Sequence, residues 1–223
     1  MGEARYLSDE KQSAKPKGNI VFRVPYLNEL SDDGYTLYSA LLHSDKPNKF
    51  NNGLLTDISA MKLFAYAFSE GKKDDIENQD MNWLQHQSMG VYIIPSIRFQ
   101  KVSKIFQDDM IYYYDLCTRN IEQFLVANLG ELNQHIFMDI QNMTECQNIQ
   151  LLVYLEQFNN ADKSISNQEI KYEVGCIGQN IKLVGGMLGL RVITLGKKVE
   201  NYLDEYLQGK GKNHTVKTVF AIG

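Results

Sequence analysis

Residues 175–196, GCIGQNIKLVGGMLGLRVITLG, constrain the fold more than any other stretch of the chain. Val174, Ile177, Ile181, Val184 and Leu188 recur at steps of three and four, the period of one helical face rather than the alternation of a strand. Gly175, Gly178, Gly185 and Gly189 lie at offsets of 0, 3, 10 and 14, which at about 100° per residue puts all four on one narrow face. Glycine costs about 1 kcal/mol relative to alanine at a helical position, so a face of it requires a compensating close approach. The expected compensation is either a second helix packed almost backbone to backbone or a flat ligand. The helix is predicted to stop near Gly189, after which β-branched Val192, Ile193 and Thr194 enter a strand.

The 223 residues suit one domain, or one domain with an appendage, and can bury a sizeable core. A net charge of −4 leaves no basic excess to neutralise phosphates, which argues against a nucleic-acid partner. Residues 1–18 are polar, with Lys11, Lys15 and Lys17 but no apolar run behind them, and read as a loose arm rather than a signal peptide. The glycine-rich helix carries Gln179, Asn180 and Lys182 and is too polar to span a bilayer. A cytoplasmic protein with no membrane partner is expected. Cys117, Cys146 and Cys176 form no C-x-x-C pair, and His43, His86, His135 and His214 have no ligand spacing, so neither a disulfide framework nor a metal site is expected.

Along the chain, residues 20–25 (IVFRVP) form an extended run closed by Pro25. Residues 35–42 form a short amphipathic helix, followed by a loop with Lys46, Lys49 and Phe50. Thr56 caps a helix marked by Ile58, Met61, Phe64 and Ala65, and residues 69–80 form a polar surface loop. A loop at 87–90 leads into a strand running from Val91 toward Phe99. Residues 105–115 read as a hairpin turning at Asp108-Asp109, and 119–138 as an amphipathic segment that Gly130 divides. Residues 149–155 and 215–222 are strand-like, and Val199, Leu203 and Leu207 mark an acidic helix after Gly196.

Leu188-Gly189-Leu190, the short strand, Gly196 and the following acidic helix together resemble the closing segment of the nitroreductase superfamily. Gly175-x-x-x-Gln179-Asn180, Tyr112-Tyr113-Tyr114-Asp115 and the final strand resemble its SagB-type branch, flavin enzymes that oxidise azolines in ribosomal peptides. The resemblance runs collinearly over residues 19–223, expected as a single domain. It implies an α+β fold with a mainly antiparallel central sheet, flanking helices and a long glycine-rich central helix, in a dimer that binds FMN at the subunit interface.

Carried over residue by residue, the resemblance implies flavin contacts from Lys46 and Lys49 to the phosphate and from Ser88, Gly90 and Gly196 around the ring and its tail. Lysine meets phosphate as a point charge, whereas the family's turn supplies arginine forks. The family's Lys-Tyr pair falls, counting back from Gly175, on Ala161 and Asp162, which leaves Lys163 and Tyr172 as the proton-handling candidates. Three functions are open on this reading: an FMN oxidoreductase tailoring a ribosomal peptide, by azoline oxidation or dehydroamino-acid reduction within a peptide-modifying complex; a nitro or quinone reductase; or a degenerate, non-catalytic subunit partnering an active homologue. The expected assembly is accordingly a homodimer or a heterodimer with a related subunit.

Overall fold

The computed structural model describes residues 19–24, 55–68, 89–107, 110–116, 118–124, 132–158, 166–208 and 214–223. Within them lie strands β1 (Ile20–Arg23), β2 (Met89–Pro95), β3 (Ile111–Tyr114), β4 (Asn120–Phe124), β5 (Leu151–Phe158), β6 (Val192–Leu195) and β7 (His214–Ile222). They form one sheet in the order β1-β4-β3-β2-β5-β7-β6. Every neighbouring pair is antiparallel. The helices are α1 (Asp57–Ala67), α2 (Ile97–Gln100), α3 (Leu132–Thr144), α4 (Asn167–Met187) and α5 (Lys197–Gln208).

Both faces of the sheet are covered, which explains why β2 and β5 are apolar at nearly every position. One face presents Val91, Ile93, Tyr112, Tyr114, Leu151, Val153, Leu155, Phe220 and Ile222 to Leu63 and Phe64 of α1 and to Ile170, Ile177 and Ile181 of α4. The other presents Tyr92, Ile94, Tyr113, Leu152, Tyr154, Val219 and Ala221 to Ile136 and Ile140 of α3 and to Val199, Leu203 and Leu207 of α5. The α+β architecture with an antiparallel sheet and a long glycine-rich helix is the one expected.

Local signals set several boundaries. The Thr56 hydroxyl accepts from the Ser59 amide and starts α1. Ile58, placed by periodicity on the apolar face, is instead 61% exposed. Ser166 and Glu169 close a capping box, each side chain accepting from the other's backbone amide. The helix α4 therefore begins at Asn167, a full two turns before the first glycine. Pro95 ends β2, and Ser96 caps the single turn of α2 where the strand was expected to reach Phe99.

Three expectations are corrected. Residues 105–107 are not a strand, so no hairpin precedes β3, which pairs instead with β2 and β4. The amphipathic segment at 119–138 holds β4 before α3, because a turn joins β3 to β4: the Arg119 amide donates to Asp115, and Arg119 has φ of 61°. Where the glycine face is filled among the described residues, at Gly178 and Gly185, it meets strand side chains rather than a second helix. A Cβ on Gly178 would lie 2.9 Å from Cζ of Phe220, and one on Gly185 would fall 2.3 Å from Cγ2 of Val192. These two glycines let α4 settle onto the side chains of β7 and β6. Gly189, with φ of +70°, is the left-handed residue that ends α4, and a Cβ on Gly175 would meet nothing within 4 Å. The arm at 1–18, the helix at 35–42, the loop at 69–80 and the turn before Phe50 lie outside the described residues.

Candidate functional site

One end of the sheet gathers the described residues that carry chemistry. Gly90 is buried at the second position of β2 and faces Glu156 of β5 across the ladder, while Glu156 in turn faces Val216 of β7. Leu195 of β6 pairs with Val219, so Gly196 lies just beyond it at the same end. Three ladder steps separate the strands of Gly90 and Gly196, about 14 Å across the sheet. The Gly196 carbonyl accepts from the Val199 amide at 2.9 Å and opens α5. A Cβ at Gly196 would meet nothing within 4 Å, so the helix N-terminus is approachable there.

Beside it stand Lys197, Glu200, Asp204 and Lys217. Lys197 pairs with Glu200 at 3.1 Å. A register irregularity in β7 between the partners of Leu155 and Glu156 leaves Lys217 without a cross-strand partner in the ladder. Burial, and then the charge of Lys197, lower the Lys217 ammonium pKa against the opposing pull of Asp204 and Glu200. The Asp204 carboxylate accepts from the Val216 amide. Its pKa is raised, chiefly by burial, against the lowering effect of that hydrogen bond.

Beneath Gly90 lies a group that sequence reasoning missed. Glu156 is 0% exposed, on the same sheet face as Tyr92 and Tyr154, whose rings stack with centroids 4.9 Å apart. Burial, with the charge of Glu156 as the next cause, raises the pKa of both phenols well above the ordinary range. The signal was in the sequence: Leu152, Tyr154 and Glu156 alternate onto one face, and a carboxylate that continues a buried face of a strand is anomalous.

No protein-family model matches the chain, and no curated protein matches it in sequence. Solved structures do match in fold. A protein assigned as a nitroreductase from Anabaena variabilis superposes with a TM-score of 0.62 at 12% identity, over 100% of this chain and 45% of its own. This chain thus spans about half the length of that relative. The fold is nitroreductase-like. The E. coli microcin synthetase McbBCD complex, with truncated pro-MccB17 bound, contains a chain that matches at a TM-score of 0.60 and 15% identity, over 100% of this chain and 83% of that one. A nitroreductase-type protein from Desulfovibrio desulfuricans in complex with FMN matches at 0.52 and 10% identity, over 87% of each chain.

On this nitroreductase-like frame the sequence-predicted residues fall as follows. Gly90 and Gly196 come to one sheet end. Tyr172 lies on α4, in the helix layer of the opposite face, 73% exposed; the neighbouring Cys176 thiol, one turn on, raises its pKa. Lys46, Lys49, Ser88 and Lys163 lie outside the described residues. The residues present at the sheet end are compatible with a flavin nucleotide. Gly90 permits close approach to backbone, and open space at Gly196 exposes a helix N-terminus, which favours an anion, near the cation Lys217. Among the described residues no cluster of three His, Cys, Asp or Glu side chains gathers to hold a metal ion, and no helix is long and apolar enough to cross a membrane.

Proposed function

We propose that this chain is an FMN-dependent oxidoreductase of nitroreductase type that tailors a ribosomal peptide, in the manner of the SagB branch. The observation that carries the reading is the convergence of Gly90 and Gly196 on one end of a nitroreductase-like sheet. The fold likeness to a protein holding FMN and to a peptide-bound synthetase supports it. In this reading FMN, when bound, exchanges the hydride with the substrate. The chain's own residues bind and orient: Gly90 and Ser88 meet the ring, Gly196 admits the phosphate-bearing tail, and Lys46 and Lys49 neutralise its charge. Lys163 or Tyr172 handles the substrate proton, and the protein works as a dimer within a peptide-modifying complex.

The test is the visible absorption spectrum of protein purified without added cofactor, followed by release and chromatography of any bound flavin. Stoichiometric FMN is the expected result, with azoline and dehydroamino-acid peptides as the next substrates to assay. Lys49→Ala is expected to lower FMN occupancy several-fold; unchanged occupancy would remove Lys49 from the phosphate site.

A second reading, a non-catalytic partner of an active homologue, draws support from Tyr172, which stands 73% exposed on α4, on the sheet face opposite α5 and its Gly196 end. A colourless protein that also fails to take up added FMN would favour it.

A further inference from the structure

The two edges of the sheet are built differently. Strand β1 has a register shift between Ile20 and Phe22 and ends in Arg23, features that blunt an edge against further pairing. Strand β6 closes the other side: among the described residues β7 flanks it on one side and no strand flanks it on the other. Its register with β7 is regular over Val192–Leu195, and its sequence, VITL, carries neither charge nor proline.

The hydrogen bonds fix which groups the open side presents. The Arg191 amide donates to the Gly223 carbonyl at 2.9 Å, and the Gly223 amide donates to the Arg191 carbonyl at 3.1 Å. In an antiparallel ladder such doubly bonded pairs alternate with non-bonded ones. With Ile193 opposite Ala221 and Leu195 opposite Val219, Arg191, Ile193 and Leu195 turn their amides and carbonyls toward β7. Val192 and Thr194 turn theirs to the open side. Thr194 is exposed, and two residues on lies Gly196, where a Cβ would meet nothing within 4 Å.

Backbone groups of this kind take an extended peptide of almost any sequence, and charge narrows the choice. Arg191 precedes the strand, and exposed Lys197 and Lys198 follow it, the first of them shared with Glu200. Two copies paired antiparallel through so short an edge would bring the cations of one end against those of the other, an unfavourable cross-strand arrangement. An extended segment with acids at its ends meets the same cations as partners.

We infer that the open edge of β6 is a strand-addition site for the peptide substrate: an extended segment, matching the four residues of β6 and flanked by acids, pairs with Val192 and Thr194. The inference rests on the peptide-tailoring reading and deepens it by naming how the substrate is held. The added strand lies four strand spacings from β2 and Gly90, about 19 Å. At about 3.4 Å per extended residue, the residue to be modified is about six positions or more from the paired segment. Docking and chemistry thus fall on different parts of one peptide.

The test is fluorescence polarisation with a labelled peptide of alternating valine and threonine closed by glutamate at both ends, on the protein as purified, with and without FMN. It is compared with the same peptide N-methylated at its inner amides, with a lysine-ended version, and with the variant T194P. The proline of T194P removes one outward amide and leaves the bonds of Ile193 and Leu195 to β7 in place; circular dichroism checks its fold. The glutamate-ended peptide is expected to bind, more weakly as salt rises, and N-methylation or T194P should each weaken it about tenfold. The lysine-ended peptide should bind less well. No binding, or binding that neither N-methylation nor T194P weakens, would overturn the inference. If T194P does not fold, hydrogen exchange of wild type decides: slowed exchange at the Val192 and Thr194 amides on peptide addition supports the edge, and unchanged exchange overturns it. A wild-type dimer that T194P splits, and that ignores the peptide, would give the edge to a second copy and overturn the inference. Colourless protein that still binds the peptide would overturn the flavin reading alone, whereas FMN-loaded protein that does not bind it would overturn this inference alone.

Discussion

Gly185 and Gly175 occupy the same helical face and do opposite things. Gly185 is buried with a methyl of Val192 where its Cβ would be, and β-branched Val192 has little rotamer freedom with which to retreat. Gly185→Ala is expected to destabilise the protein by about 2 kcal/mol, the overpacking cost exceeding the gain in helix propensity. Gly175 is exposed with open space around it, and Gly175→Ala should stabilise by about 1 kcal/mol. Gly178→Ala falls between them, since the atom it meets is the tip of the Phe220 ring, which can swing. Urea unfolding of the three variants checks the order, and a stabilised Gly185→Ala would show that α4 does not sit on β6 as described. The spacing of these glycines was readable from sequence, but the partner of each was not, because it lies on strands that follow in the chain.

At the scale of elements, α4 depends on its cap. Loss of the Ser166 hydroxyl removes the acceptor for the Glu169 amide, and Ser166→Ala should cost about 1 kcal/mol. Glu169 accepts from the Ser166 amide at 2.6 Å, and this hydrogen bond lowers its carboxyl pKa below the usual range. A depressed carboxyl pKa contributes stability above the unfolded value, lost as pH falls through the folded one. The stability difference between wild type and Glu169→Gln should therefore be present at neutral pH and vanish in acid; a difference independent of pH would show that the box is not formed. Caps are local, so Thr56 was legible as one. Strand β4 was not legible as a strand: only Ile121 is buried in it, and its extended form comes from pairing with β3 and β1, which no window of its own residues records.

For the whole molecule, the two covered faces bury tyrosines in both cores. Burial raises Tyr114 to about 12, against the lowering effect of Arg119, and holds Tyr92 and Tyr154 well above the ordinary phenol range. A phenol whose folded pKa is raised contributes stability that is complete below the unfolded value, near 10, and is lost as pH rises beyond it. Alkaline titration is expected to show these tyrosinates appearing together with cooperative unfolding, followed by ultraviolet absorbance and circular dichroism. Their ionisation with the fold intact would place them nearer solvent than the structure does. By itself the sequence determined the long helix, its end at Gly189, the apolar cores of β2, β5 and β7 and the buried stripe of α5, because periodicity and caps are properties of neighbouring residues. Tertiary structure alone decided what the glycines meet, which residues of the 119–138 segment pair as a strand, and that Gly90, Glu156 and Gly196 share one end of the sheet. Those outcomes depend on strand order, and strand order joins residues more than a hundred positions apart, for which a single sequence carries no local signal.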